Sequence, residues 1–156
     1  MNNGLTSNVN LLSPNGFKLV IDHRSFANVE FFVTSFTIPT LNMGEVETIY
    51  RGHMAYVAGE PLRFDSLSIR FAIDENMTNY NEIYNWIKSN HENNQLQDSD
   101  MSLMVLTSHN NINKEFKFTN AFPTSLSGVE FNVQSTDVEY LQADVTFRYD
   151  TFKMKE

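Results

Sequence analysis

Residues 67–87 read LSIRFAIDENMTNYNEIYNWI, and the repeat changes partway through. Leu67, Ile69, Phe71 and Ile73 alternate with Ser68, Arg70, Ala72 and Asp74, the two-residue period of a strand with one buried face. Beyond Asp74, Tyr80, Ile83, Tyr84 and Ile87 fall at i, i+3, i+4 and i+7, an apolar helical stripe with Trp86 near its edge. Asn79 followed by Glu82 has the spacing of a capping box. The stretch therefore predicts a strand followed by a helix over about 79–91.

On the N-terminal side, Ser13-Pro14-Asn15-Gly16 is a turn signal, and Phe17–Ile21 reads as a strand ending at Asp22-His23-Arg24-Ser25. Ala27 to Ile38 is β-rich and apolar on both faces, so it is buried twice or meets a neighbouring chain, and Pro39 stops it. Next comes a long connection from Asn42 to Phe64. Its second half, RGHMAYVAGEPLRF (51–64), carries Met54, Tyr56, Val57 and Phe64. On the C-terminal side a polar loop over 90–100 precedes strands at Met101–Thr107 and Lys114–Phe118, joined through Ser108-His109-Asn110-Asn111. Phe122-Pro123 and Leu126-Ser127-Gly128 break the chain before a strand at Val129–Val133. A last long strand alternates Leu141, Ala143, Val145, Phe147 and Tyr149 with polar residues, with a bulge expected near Tyr140. No internal repeat is present. The expected fold class is mainly β, a two-sheet sandwich or barrel with one flanking helix.

The 156 residues suffice for one core, and 13 Phe, 6 Tyr and one Trp supply large side chains to fill it. A net charge of −8 with scattered basic residues argues against a nucleic-acid reader. The sequence has no cysteine, which removes disulfides, thiolate metal sites and cysteine nucleophiles. MNNGLTSNVNLLSPNGF does not have the pattern of a signal peptide, and no stretch reaches the length of a membrane span. The expectation is a soluble chain made in the cytoplasm.

Catalytic chemistry is thin. His23, His53, His91 and His109 stand in or beside turns and loops, without metal-ligand spacing. Asp74-Glu75 sits where a helix begins, a favourable place for negative charge. Asp98-Ser99-Asp100 lacks the remaining residues of a calcium loop. No phosphate-binding glycine motif or G-x-S-x-G nucleophile elbow occurs. The expectation is a protein without cofactor, metal or catalytic residues. What remains unexplained is apolar surface: Ala27–Ile38, the 42–64 connection and the last strand carry more than an ordinary sandwich uses. Such surface marks interaction sites.

The order of elements resembles the tail tube proteins of contractile-tailed, T4-like bacteriophages, whose family includes tube initiators and terminators. Three stretches carry the resemblance: Asn15-Gly16-Phe17 into the segment ending at Ile38-Pro39; Ala55-Tyr56-Val57-Ala58-Gly59-Glu60 through Phe64-Asp65-x-Leu67-x-Ile69 to Tyr84-x-Trp86; and Phe122-Pro123-Thr124 into Val129–Val133 and Gln142–Tyr149. The resemblance implies a polar N-terminal arm (1–13), then one tail-tube-like β domain (14–156). It implies a homo-hexameric ring in which strands of neighbouring subunits join into a barrel around a channel. Arg51, His53, Met54, Tyr56, Val57 and Glu60 would then contact the next subunit or ring. Gln142, Asp144, Thr146 and Arg148 would face the lumen, where viral DNA passes without specific binding. The implied partners are adjacent tube or baseplate proteins and the tail sheath, with no membrane. The implied location is the virion tail, assembled in the host cytoplasm. Other readings stay open at this level: a baseplate-associated initiator or terminator, a secretion-system tube subunit, a carbohydrate-binding sandwich, and a hydrolase using dispersed acids.

Overall fold

In the computed structural model, residues 12, 14–21, 32–92, 96–133 and 140–155 are described. Along them run β1 (Phe17–Ile21), β2 (Val33–Thr37), β3 (Leu41–Tyr50), β4 (His53–Phe64), β5 (Leu67–Ala72), α1 (Thr78–Glu92), β6 (Ser99–Leu106), β7 (Ile112–Leu126), β8 (Gln142–Arg148) and β9 (Thr151–Lys155). Six strands form one hydrogen-bonded path, β1-β6-β7-β8-β5-β2, and β9 joins it on β7; among the described residues β3 and β4 pair only with each other. Every pairing is antiparallel. The expected mainly β fold is what the chain forms, with one helix among the described residues.

The long strand β7 joins two sheets. Its first part pairs with β6 and β9, and its last part, Phe122–Leu126, pairs with β8. Between them Asn120 has φ 53°, its side chain donates to Asp150 Oδ2 at 2.6 Å, and the register shifts beyond Pro123. Proline has no N–H to give a ladder and sits at such irregularities. The Phe122-Pro123 break expected from sequence is therefore a corner within one strand, turning the chain from the β1-β6-β7-β9 sheet into the β7-β8-β5-β2 sheet. Both sheets send alternate side chains inward: Leu19 and Ile21, Met101 and Leu103, Phe118, then Leu67, Ile69 and Phe71, with Ala143, Val145 and Phe147.

Helix α1 closes this core with Ile83 and Trp86. The Trp86 ring packs on Phe147 at 5.9 Å between centroids, and its indole N–H donates to the Gln97 carbonyl at 2.6 Å. The helix start differs from expectation. Asn79 lies inside the helix and is fully buried; its amide donates to the Ala72 carbonyl at 2.8 Å, tying α1 to the end of β5. Asp74 and Asn79 cap the helix together: Asp74 Oδ1 accepts from the Asn79 N–H at 3.1 Å, and Asn79 Oδ1 accepts from the Tyr80 N–H at 2.8 Å and the Asp74 N–H at 3.3 Å. Burial pushes the Asp74 carboxyl up, but hydrogen bonds from Asn79 and Thr78 outweigh it and leave the group below its ordinary range.

Other expectations change too. Of Ala27–Ile38, only Val33–Thr37 forms a described strand, and 22–31 lie outside the described residues. Val129–Val133 forms no strand. The last strand is shorter than expected: β8 ends at Arg148 and the chain turns back into β9, whose Phe152 and Met154 pair with Phe118 and Phe116. Tyr140 precedes β8 and is exposed, with no bulge in the β8 ladders around it. Of the N-terminal arm, all but Leu12 lies outside the described residues.

The projecting hairpin and the polar face of the second sheet

The 42–64 segment is a β-hairpin, β3–β4, paired from Leu41↔Phe64 to Tyr50↔His53. Its turn is Arg51-Gly52, with φ values of 49° and 80°. Positive φ at both central residues is the two-residue turn whose twist matches a hairpin, and glycine adopts it without steric penalty. Ten residues of extended chain rise about 30 Å. The root is anchored: Asp65 N–H donates to the Thr40 carbonyl at 3.1 Å, and Phe64 packs on Tyr149 and Phe152. The Tyr149 hydroxyl donates to the Asp65 carbonyl at 2.6 Å. Burial, with the Asp65 charge beside it, pushes the Tyr149 phenol up to about 12.

Above this root the hairpin stands largely uncovered among the described residues. Leu41, Met43, Val46, Ile49, Tyr50, Met54, Tyr56, Val57 and Leu62 are all more than half exposed, with Ile49 at 76%. The pairing divides them between faces. One face holds Leu41, Met43 and Ile49 opposite Phe64, Leu62 and Met54, with Tyr56 opposite Glu47; the other holds Val46 opposite Val57 and Tyr50 opposite His53. Midway the register slips between Met43 and Glu45, and β4 takes up the extra residues around Gly59-Glu60-Pro61. A Cβ at Gly59 would stand 2.8 Å from Val46 Cγ2, so only glycine lets the two strands approach there.

The residues expected at a subunit contact thus all lie on this hairpin, but not on one surface. Arg51 is in the turn, its guanidinium 5.4 Å from the Tyr50 ring centre. His53 and Val57 occupy one face, Met54 and Tyr56 the other, and Glu60 belongs to the bulge. The outgoing strand, with Met43, Val46, Ile49 and Tyr50, contributes as much apolar surface as the return strand. Its interrupted pattern, LNMGEVETIY, hides that strand from a search for strict alternation.

Gln142, Asp144, Thr146 and Arg148 share the face of β8 opposite Ala143, Val145 and Phe147. Helix α1 is on the other side, where Trp86 meets Phe147. Across the ladder, Ser68 and Arg70 of β5 and Ser125 of β7 join this polar face through their pairing with Thr146 and Asp144. Arg70 donates to Asp144 through Nε at 2.7 Å and a terminal nitrogen at 3.1 Å. The Arg70 hydrogen bonds hold the Asp144 carboxyl below the usual range, and Arg70 is raised in turn. Among the described residues this face carries two arginines against one aspartate, so Arg70 and Asp144 offset each other and Arg148 leaves a small positive excess.

No three His, Asp or Glu side chains gather to hold a metal ion among the described residues. His53, His91 and His109 are exposed and apart, and His23 lies outside the described residues. Asp98 is exposed, and Asp100 pairs with Lys117 at 3.1 Å, whose hydrogen bond lowers its carboxyl. Among the described residues no helix is long and apolar enough to cross a membrane.

A search of curated protein sequences finds no match. Solved structures share the fold. A chain from the sheath/tube terminator of an extracellular contractile injection system, in the extended state, superposes with a TM-score of 0.76 at 19% identity, covering 96% of this chain and 100% of that one. The tube-terminating cap of the anti-feeding prophage gives 0.73 at 18%, covering 96% and 94%. Hcp1 from Flavobacterium johnsoniae gives 0.55 at 18%, covering 88% and 93%. Residues 6–155, nearly the whole sequence, match the family model of the phage tail tube protein, and the chain belongs to that family.

Proposed function

We propose that the chain is a ring-forming structural subunit of a contractile tail or tail-like tube, acting without catalysis and without a cofactor. Six copies close into a ring, and stacked rings enclose a channel for viral DNA. The observation that carries this reading is the hairpin: nine large apolar side chains stand in water on a two-stranded ribbon that contributes almost nothing to its own core. An isolated two-stranded ribbon is marginal in water, and apolar surface on both faces needs neighbours on both sides. Arg51, His53, Met54, Tyr56, Val57 and Glu60 belong to that contact. Gln142, Asp144, Thr146 and Arg148 line the bore, a mostly uncharged polar face on which Arg70 offsets Asp144 and Arg148 leaves a single positive charge, too little to grip a phosphate backbone. Residues 14–156 act as one module behind the 1–13 arm. Adjacent tube or baseplate proteins and the sheath complete the partners in the tail, assembled in the host cytoplasm.

A second reading, a ring that ends or starts the tube, is supported by the sheath/tube terminator and the terminating cap that share the fold. Light scattering on the purified chain tests both. A species at six times the 18.0 kDa chain mass supports the ring. Growth into open tubes as concentration rises favours the repeating subunit, and arrest at one or two rings favours the terminal one. A monomer at all concentrations would count against both.

A further inference from the structure

In a chain of net charge −8, the outer face of the β1-β6-β7-β9 sheet gathers positive charge. Leu19 of β1, Met101 and Leu103 of β6 and Phe118 of β7 point into the core. Lys18, Asp100, Glu115 and Lys117 therefore point outward, and the β7–β9 pairing sets Lys153 and Lys155 beside them. Four strands about 4.8 Å apart make this patch about 15 Å across. Its lysines are four of the chain's eleven basic residues. The two carboxylates among them are engaged. Asp100 pairs with Lys117 at 3.1 Å, and Glu115, although opposite Lys155, accepts from Ser102 Oγ at 2.7 Å. Among the described residues Lys18, Lys153 and Lys155 are exposed and make no ion pair. Lys153 also stands directly opposite Lys117, and like charges so placed destabilise a sheet. Such a local conflict, kept on a solvent face, is expected where the charge serves a contact.

We propose that this face docks an acidic surface of a different protein, whose carboxylates meet Lys18, Lys153 and Lys155. The patch is complete within one chain, so the contact does not depend on the ring reading. Charge complementarity selects the partner. A nucleic acid is a long polyanion and calls for an extended basic stripe. Here the lysines are confined to one sheet face, interleaved with Asp100 and Glu115, and set in a chain whose net charge repels phosphate beyond the patch. Among the described residues the face has no arginine, the side chain that grips phosphate bidentately. Lysines act as separate point charges, which suits carboxylates spaced over a folded surface.

The full-length chain is titrated with a fluorescein-labelled short oligoglutamate peptide, and separately with a short labelled duplex DNA, by fluorescence anisotropy at low ionic strength. Saturable peptide binding that weakens with added salt is expected, with DNA bound more weakly. Lys18→Glu combined with Lys153→Glu should lower the peptide affinity at least about ten-fold, since two attractive charges become repulsive. Arg63→Glu combined with Lys88→Glu changes the net charge equally at exposed positions off this face, and should leave the affinity within about two-fold. Lys153→Glu alone places an opposite charge across from Lys117 and should raise the unfolding temperature while weakening the peptide, a combination that misfolding cannot give. Equal losses in the two double variants, DNA bound more tightly than the peptide through these lysines, or no saturable binding would each overturn the proposal. If the lysines only keep the β1 and β9 edges from pairing, the Lys18→Glu, Lys153→Glu protein aggregates and its monomer binds the peptide as before, which overturns it too. A changed assembly mass in light scattering would make the face a contact between copies and likewise overturn it.

Discussion

Replacing Tyr56 and Val57 together by aspartate separates the fold from the assembly. The two side chains point to opposite faces of β4 and are 62% and 54% exposed in the chain. Neither belongs to the core cluster, so the double variant changes the stability of the monomer by no more than about 0.5 kcal/mol, the usual range for surface sites. A neighbour that covers them removes about 120 Å² of tyrosine surface from water, worth about 3 kcal/mol, and the half-exposed valine adds about 1 kcal/mol. Losing about 4 kcal/mol weakens a contact close to 1,000-fold. Burying two carboxylates there opposes assembly further. The assay measures thermal unfolding at a dilution where the parent is monomeric, then assembly by light scattering across a concentration series. Unchanged unfolding with assembly lost is the expected outcome. Assembly at the parent's concentration would refute the contact role, and a large fall in monomer stability would make the hairpin part of the fold.

Three shorter predictions follow from the packing. Trp86→Ala removes the ring packed at a tilt against Phe147 and the bond to the Gln97 carbonyl, and should destabilise the chain by about 3–5 kcal/mol in urea unfolding. Tyr149→Phe removes the 2.6 Å bond to Asp65 and should cost about 1 kcal/mol at neutral pH. Because the Tyr149 phenol is raised to about 12 in the folded chain, it ionises more readily when unfolded, so its contribution is present below about pH 10 and fades as pH approaches 12. Ultraviolet titration of the tyrosines should lose its latest component in the Phe variant. Gly59→Ala forces a Cβ to within 2.8 Å of Val46 and should cost about 1–3 kcal/mol, read in hydrogen exchange as faster opening of β3–β4 with the core amides unchanged.

Sequence periodicity reveals elements whose one face is buried by the chain itself. Leu67–Ala72 and the Tyr80–Ile87 stripe are legible because core and solvent impose opposite chemistry on alternate positions. The hairpin is not, since both of its faces carry apolar groups and its register slips around Gly59, so no period survives. Asn79 shows a related limit. Its type and spacing suggest a cap, and only the fold reveals that it is buried inside the helix, reaches Ala72 and shares the capping with Asp74. The β7 corner at Pro123 looks like a break because local chemistry cannot distinguish a strand that ends from one that changes sheets. Val129–Val133 is the converse, a strand pattern that forms no strand. On the polar face, alternation identified Gln142, Asp144, Thr146 and Arg148 as companions, but the compensating Arg70 comes from a strand 74 residues away in sequence.

The central claim, that the hairpin is a subunit contact in a closed ring, is tested most directly by a cryo-EM reconstruction of the assembled chain. The expected result is a six-fold ring with β3–β4 covered by neighbours and the Gln142, Asp144, Thr146 and Arg148 face turned to the bore. A reconstruction with the hairpin free in solvent, or with the ring closed by other surfaces, would contradict it.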